Sequence, residues 1–403
     1  MKENFKRKVL KNGLTILFEK RDVPVTSLVF AVKSGGNDES LDEKGISHFI
    51  EHLLYKGTKN RTSKKIAEDI ERNGGELNGF TGEETTGYLC KVPSDKFKIA
   101  IDVLSDLILN PLFDEKELEK ERKVIFEEMS MRKDNIHAYV FDEIQKCLYR
   151  GTMEIDVIGT KETMGKVDRQ QIYKKFKQIY TPNNFVLCVV GDANFEEIVS
   201  FVEKAFGNTK SIISKQKIKL KTEIKIKERK GIDQAHIVFA YHSPLPKDKK
   251  VYAAKVLSSI MSEGMSSRLF SEIREKRNLA YAVKGSLEAH ENFSFTWIYI
   301  GTMKENLEKV KKLILTEFEK VSSELTEKEL NSIKTQLIGQ YKISMEDSQS
   351  QMMNLLSSEI QSKAEDYYHF EENIKKVSLE EVKELASEVK EGKYSLFALV
   401  PEN

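Results

Sequence analysis

The sequence predicts an α+β protein made of two homologous repeats of about 200 residues, with the metal motif in the first repeat alone. Three observations lead there. Short strand-like runs alternate with amphipathic helical runs along the chain. The order of these runs in residues 1–209 recurs in residues 230–403. The segment Gly45-Ile-Ser-His-Phe-Ile-Glu-His-Leu-Leu-Tyr-Lys-Gly57 carries H-x-x-E-H, whereas the helix that falls at its place in the second half, 251–261, contains no histidine.

In the first repeat, Lys11-Asn-Gly13 reads as a turn before the strand Leu14–Phe18, and Val25–Val32 is a second strand. Ile46, Phe49, Ile50, Leu53 and Leu54 make an apolar helical face bracketed by Gly45 and Gly57. A second helix, 63–73, stops at Gly74-Gly75. Extended runs 76–81 and 85–92 follow, then a helix over 94–109 with Ser94 as N-cap. After Pro111 comes a long charged helix, 114–133, resuming to 148. A helix at 168–178, a strand at 184–190 and a helix at 195–206 complete the repeat. Residues 210–229, rich in lysine, read as a linker with some extended structure.

The second repeat runs through a strand (235–241), a helix (251–261), a strand pair (280–289 and 293–301), helices over 306–325 and 326–345, and a final strand (393–400). Thr326-Glu-Lys-Glu-Leu330 echoes Asp114-Glu-Lys-Glu-Leu118.

Within the first helix, His48 and His52 stand one turn apart on one face, where one tetrahedral metal ion could take a nitrogen from each. Glu51 points to the same side and could reach a water on that metal. A zinc site with two histidines needs a third protein ligand and an open position. The charged helix offers carboxylates, of which Glu121 and Glu128 lie seven apart on a side that Val124 and Ile125 suggest turns inward. Spacing alone does not choose among Glu121, Glu127 and Glu128.

Composition narrows the alternatives. Lys+Arg 65 against Asp+Glu 64 leaves a net charge of +1, so no basic footprint argues for nucleic acid. The lysines of 210–230 read as a solvated connector rather than an anion site. No apolar run spans a bilayer, and no secretory h-region is visible at the start. Cys90, Cys147 and Cys188 are scattered and form no framework, which fits a cytoplasmic setting.

With both repeats placed, the chain resembles the pitrilysin/insulinase family of zinc metallopeptidases in its short, two-domain form, over essentially its whole length. His48-Phe-Ile-Glu51-His52 is the H-x-x-E-H inverzincin signature. Glu121-Arg-Lys-Val-Ile-Phe-Glu-Glu128 matches the family's E-x6-E segment, with Glu128 lying 76 residues after His52. The resemblance implies two α/β-sandwich repeats, each a mostly antiparallel sheet packed by helices. It implies Glu128 as the third ligand of one zinc ion per chain, and Glu121 as the acid behind the site. Asn73-Gly-Gly-Glu-Leu-Asn78-Gly79 resembles the substrate-strand region, where the family usually carries Asn-Ala; Asn78 and Gly79 are the corresponding residues. Ser266-Ser-Arg-Leu-Phe270 and Arg274-x6-Tyr281 match the family's Arg/Tyr pair, which implies that Arg274 and Tyr281 steady the peptide carbonyl.

The expected function is a zinc endopeptidase in which Glu51 is the general base. Its substrates would be peptides or unfolded polypeptides, in a chamber closed by two chains, as a homodimer or with a homologous chain. The alternative is a non-catalytic partner subunit of a peptidase complex.

Overall fold

A computed structural model describes residues 4–213 and 215–402. Its strands in chain order are β1 (Phe5–Val9), β2 (Thr15–Lys20), β3 (Val25–Val32), β4 (Glu76–Thr81), β5 (Thr86–Pro93), β6 (Tyr149–Arg150) and β7 (Phe185–Gly191). They continue as β8 (Lys219–Leu220), β9 (Ile224–Arg229), β10 (Ala235–His242), β11 (Ala280–Ala289), β12 (Ser294–Thr302) and β13 (Ser395–Pro401). The helices that matter most for the site are α1 (Ile46–Leu54), α2 (Ser63–Glu71), α3 (Phe97–Leu109), α4 (Glu115–Asp134) and α5 (Ile136–Leu148).

The chain divides into two units, each with its own sheet. In the first the order is β1-β2-β7-β3-β5-β4. All neighbours are antiparallel except β2 and β7, which run parallel. In the second the order is β11-β12-β10-β13-β9, again antiparallel except for one parallel pair, β13 with β9.

The units are interleaved in sequence. The first comprises residues 1–130, 155–217 and 344–368, and the second comprises 131–154, 218–343 and 369–403. Each therefore takes one helix from the opposite half of the chain. The helix Ser348–Gln361 covers one face of the first sheet, setting Met352, Leu355 and Leu356 against Leu17, Val29, Val186 and Val190. Helix α5 does the same for the second sheet, setting Val140, Ile144 and Cys147 against Val238, Ala240 and Leu399. This double coverage explains why β3 and β7 are near-continuous apolar runs rather than alternating ones. A contiguous split at 209 and 230 describes most of each unit but misses this exchange.

Three local readings of the sequence change. Ser94 does not cap α3: it opens a short 3-10 turn, Ser94–Lys96, and its hydroxyl pairs with Thr26 Oγ1 at 2.9 Å. Val124 faces outward at 43% exposure, and the buried stripe of α4 is Leu118, Glu121, Ile125 and Met129. The extended structure expected in the lysine-rich segment is present, but Ile224–Arg229 is β9, the edge strand of the second sheet, and not linker.

Candidate metal centre

Helix α1 begins where it does because its first amides find a carboxylate. Glu39, fully buried, accepts from the backbone N–H of Gly45 (2.8 Å) and of Ser47 (2.7 Å). These are two of the donors that a helix start leaves without intrahelical partners. Burial pushes the Glu39 carboxyl up, while Lys44 and these N–H groups pull it back. Gly45 has φ +101°, and a Cβ there would meet the Ile158 carbonyl oxygen at 2.7 Å, so the start accepts only glycine. From this start, Ile46, Phe49, Ile50, Leu53 and Leu54 enter the core. The opposite face is left to His48, Glu51 and His52.

On α4, Glu121 lies on the buried stripe, Glu128 is half-buried beside it, and Glu127 is exposed. Glu128 Oε2 stands 3.6 Å from His48 Nε2 and 3.6 Å from His52 Nε2. One ligand atom from each of the three residues lies within 4.8 Å of the others. A tetrahedral ion with bonds of about 2.0–2.2 Å spaces its ligand atoms by roughly 3.3–3.6 Å. Glu128 meets this spacing to both histidines, and a set of two imidazoles and one carboxylate suits a divalent ion with zinc's preferences while leaving a fourth position for water.

The surroundings orient these groups. Glu121 Oε2 is 3.1 Å from His52 Nδ1, and its other oxygen pairs with Lys56 Nζ at 2.8 Å. A carboxylate only accepts, so His52 carries its proton on Nδ1 and presents a bare Nε2 toward Glu128. Thr81 Oγ1 donates to Glu51 Oε2 at 2.7 Å. Burial pushes the Glu51 carboxyl above its ordinary range; Thr81 and His52 draw it back, and Glu128 adds to the rise.

Thr81 and Gly79 share one pleat face of β4, which is an edge strand of the first sheet. Gly79 is pressed against the site: a Cβ there would lie 2.5 Å from Tyr55 Oη and 2.9 Å from Glu51 Oε1. Asn78 lies on the other pleat face, exposed, with its Oδ1 accepting from the Gly79 N–H at 2.8 Å.

Residues 15–161 match the family model described as insulinase (peptidase family M16), and residues 166–337 match that of the peptidase M16 inactive domain. An uncharacterized zinc protease of Bacillus subtilis (strain 168) is 30% identical over 404 residues, 98% of each chain. One of Rickettsia felis is 32% identical, over 84% of this chain and 83% of its own. This chain belongs to peptidase family M16, the insulinase family. A crystal structure of a protease from Helicobacter pylori shares this chain's fold at a TM-score of 0.91, with 23% identity over 98% of this chain and 99% of that one. A Pseudomonas fluorescens structure titled as a peptidase M16 inactive domain gives 0.89 at 20% identity, over 99% and 98%.

The remaining residues expected of an M16 site belong to the second unit. Arg274 lies in a π-helical turn, Phe270–Glu275, with its guanidinium 4.7 Å from the centre of the Phe270 ring. Its carbonyl accepts from the Asn278 N–H at 3.0 Å as the chain turns toward β11, which carries Tyr281. Reading by sequence passed over Thr81, Lys56, Tyr55 and Glu39. Thr81 could have been found two residues beyond Gly79 on the same strand, and Lys56 one helical turn beyond His52. Glu39 carries no such signal.

Proposed function

We propose that this M16 chain is a zinc-dependent endopeptidase acting on peptides or unfolded polypeptides, with one zinc ion held by His48, His52 and Glu128. The observation that carries the reading is the convergence of those three ligand atoms beside Glu51, whose carboxylate is fixed by Thr81. When bound, zinc supplies Lewis acidity, polarising a peptide carbonyl and drawing the pKa of water toward ~7.

The chain's own residues do the rest. Glu51 takes a proton from the attacking water and returns it to the leaving amine. Its raised proton affinity suits both halves of that exchange. Glu121 holds His52 in the tautomer that can ligate. The free edge of β4 offers backbone donors and acceptors to an extended peptide, which is read by its main chain more than by its side chains. Arg274 and Tyr281 donate to the carbonyl oxygen as charge develops on it.

Two chains, either identical or homologous, close the chamber, and the setting is cytoplasmic. Three free, buried cysteines are in keeping with a reducing compartment. The alternative of a non-catalytic partner subunit draws support from the inactive-domain match at residues 166–337 and from the Pseudomonas fluorescens structure of that description; the presence of His48, Glu51, His52 and Glu128 together in this chain favours the peptidase.

The test is cleavage of a quenched peptide library by the wild-type chain and by Glu51→Gln, with zinc counted in both. The reading requires that both hold zinc and only the wild type cuts. Loss of metal from the wild type after zinc is supplied would defeat it.

A further inference from the structure

The two sheets are finished differently at the end that carries the parallel pair. In the first, β2 runs parallel to β7 and is covered on its outer side by β1, antiparallel to it. Ile16 and Phe18 of β2 are buried, and the Phe18 ring meets Phe195 of the helix Phe195–Ala205 at 5.7 Å between centres. β9 holds the same place in the second sheet, parallel to β13, and among the described residues no strand lies beyond it. Its Ile224 and Ile226 stand level with the core residues Leu396 and Ala398, yet they remain 48% and 53% exposed.

This edge presents backbone groups as well as apolar side chains. Leu396 N–H donates to the Glu223 carbonyl, and Glu402 N–H to that of Arg229. In a parallel ladder, every second residue turns both its backbone groups to the same neighbour. Glu223, Lys225, Lys227 and Arg229 therefore serve β13, while Ile224, Ile226 and Glu228 turn theirs to the open side. Lysines protect an edge by standing over it. Here Lys225 and Lys227 lie back on α5 instead, 2.8 Å from Glu143 Oε2 and 2.6 Å from the Tyr139 hydroxyl.

The side chains select what can pair. Lys225, Lys227 and Arg229 share the face toward α5. Lys225 divides Glu143 with Lys146, and Lys227 rests on a neutral phenol. Arg229 donates to the Lys133 carbonyl at 2.9 Å, with Asp134 at 3.8 Å. Positive charge is in excess along this row. The other face offers Ile224 and Ile226, followed by Glu228, which is paired with Lys304 at 2.9 Å. Residues directly opposite one another in a sheet share a face, and like charges there repel. A second copy of β9, brought up antiparallel about a two-fold axis, would set the basic row against itself. Acidic side chains opposite that row, alternating with apolar ones opposite the isoleucines, suit both faces.

We propose that β9 is a docking edge for an extended segment of another polypeptide in which acidic and apolar residues alternate, bound antiparallel to β9 as β1 is to β2. β9 belongs to the second sheet and β4, the edge assigned to the peptide substrate, to the first, so the inference does not rest on the peptidase reading.

Residue-resolved hydrogen exchange tests it, with a blocked peptide of alternating Asp and Val as the probe and the Glu51→Gln chain as host, so that the probe is not cut. The peptide should slow exchange at the Ile224, Ile226 and Glu228 amides, and a peptide of alternating Lys and Val should not. Lys227→Glu should weaken binding of the Asp/Val peptide about tenfold. No protection at those three amides, protection confined to β4, or equal protection by the Lys/Val peptide would each overturn the proposal. Undiminished binding to a folded Lys227→Glu chain would overturn the assigned charge preference. The exchange measurement alters no residue of the second unit, so it decides the matter even where that variant fails to fold.

Discussion

The two sheets of this protein share one strand order and differ in what stands on them. β2-β7-β3-β5-β4 in the first unit corresponds to β9-β13-β10-β12-β11 in the second, with the parallel pair in the same place. The first carries α1 with His48, Glu51 and His52. The second carries the helix Val251–Ser262, which has Lys255, Ser258 and Ser259 at the same spacing.

Those three close on Glu263 instead of on a metal. Lys255 Nζ lies 3.0 Å from Glu263 Oε1, and Ser258 and Ser259 donate to the carboxylate at 2.7 and 3.0 Å. The register that lays Glu115-Lys-Glu-Leu118 on Glu327-Lys-Glu-Leu330 puts Ile333 where Glu121 stands and Gln340 where Glu128 stands. Every group with a chemical role is replaced, while the apolar stripes that build the helices persist. The fold thus depends on the stripe and not on the donors, so function can be lost from one repeat without loss of architecture.

The largest effect that should sharpen this contrast is on turnover. Glu51→Gln should lower kcat/KM by about 10³-fold or more with zinc content unchanged, while Ser258→Ala in the second unit should leave cleavage as it was.

Next comes stability in the first unit. Asp106, buried on α3, accepts from Thr58 Oγ1 (2.6 Å), Asn60 Nδ2 (2.6 Å), Arg61 Nη1 (2.8 Å) and Asn110 Nδ2 (2.8 Å), which pins the loop after α1. Burial works to raise its pKa, and these four bonds overcome it and hold it below the ordinary range. A depressed carboxyl stabilises the fold above its unfolded pKa of about 3.9 and loses that contribution as pH falls through the lower folded value. Asp106→Asn should cost about 3 kcal/mol in urea denaturation at pH 7, and the gap to wild type should narrow as the pH drops below about 4.

Glu121→Gln should weaken zinc binding about 10- to 100-fold in competition with a chelator, because His52 loses its charged acceptor. The smallest effect concerns Gly79. Gly79→Ala should lower kcat several-fold, near the ~1 kcal/mol low end of overpacking costs, by driving a methyl into Tyr55 Oη and Glu51. Tyr55→Phe in the same chain should recover part of that loss. If it recovers none, the crowding lies at Glu51 and not at Tyr55.

Much of this was legible in the sequence for identifiable reasons. α1 is an apolar stripe bounded by glycines, so its histidines fell on one face by counting. β3 and β7 announced themselves as apolar runs. The helix Ser348–Gln361 did not, since it buries Ser348 and Gln351 along with its apolar residues, and Gln351 donates to Glu19 at 2.7 Å. β9 was hidden by its lysines, two of which reach Glu143 and the Tyr139 hydroxyl of α5. Choosing among Glu121, Glu127 and Glu128 needed the roll of α4 about its axis. Val124 misled there, because it is an apolar residue facing outward. Thr81 stayed unseen because its partner, Glu51, is thirty residues away.

Zinc X-ray absorption of the loaded chain is the most direct test of whether His48, His52 and Glu128 hold the metal through two imidazoles and one carboxylate. One zinc per chain is expected, with two imidazoles and oxygen donors at about 2.0–2.2 Å and no sulfur, and loss of an imidazole shell in His52→Ala. A sulfur shell, or an imidazole shell that survives His52→Ala intact, would contradict it.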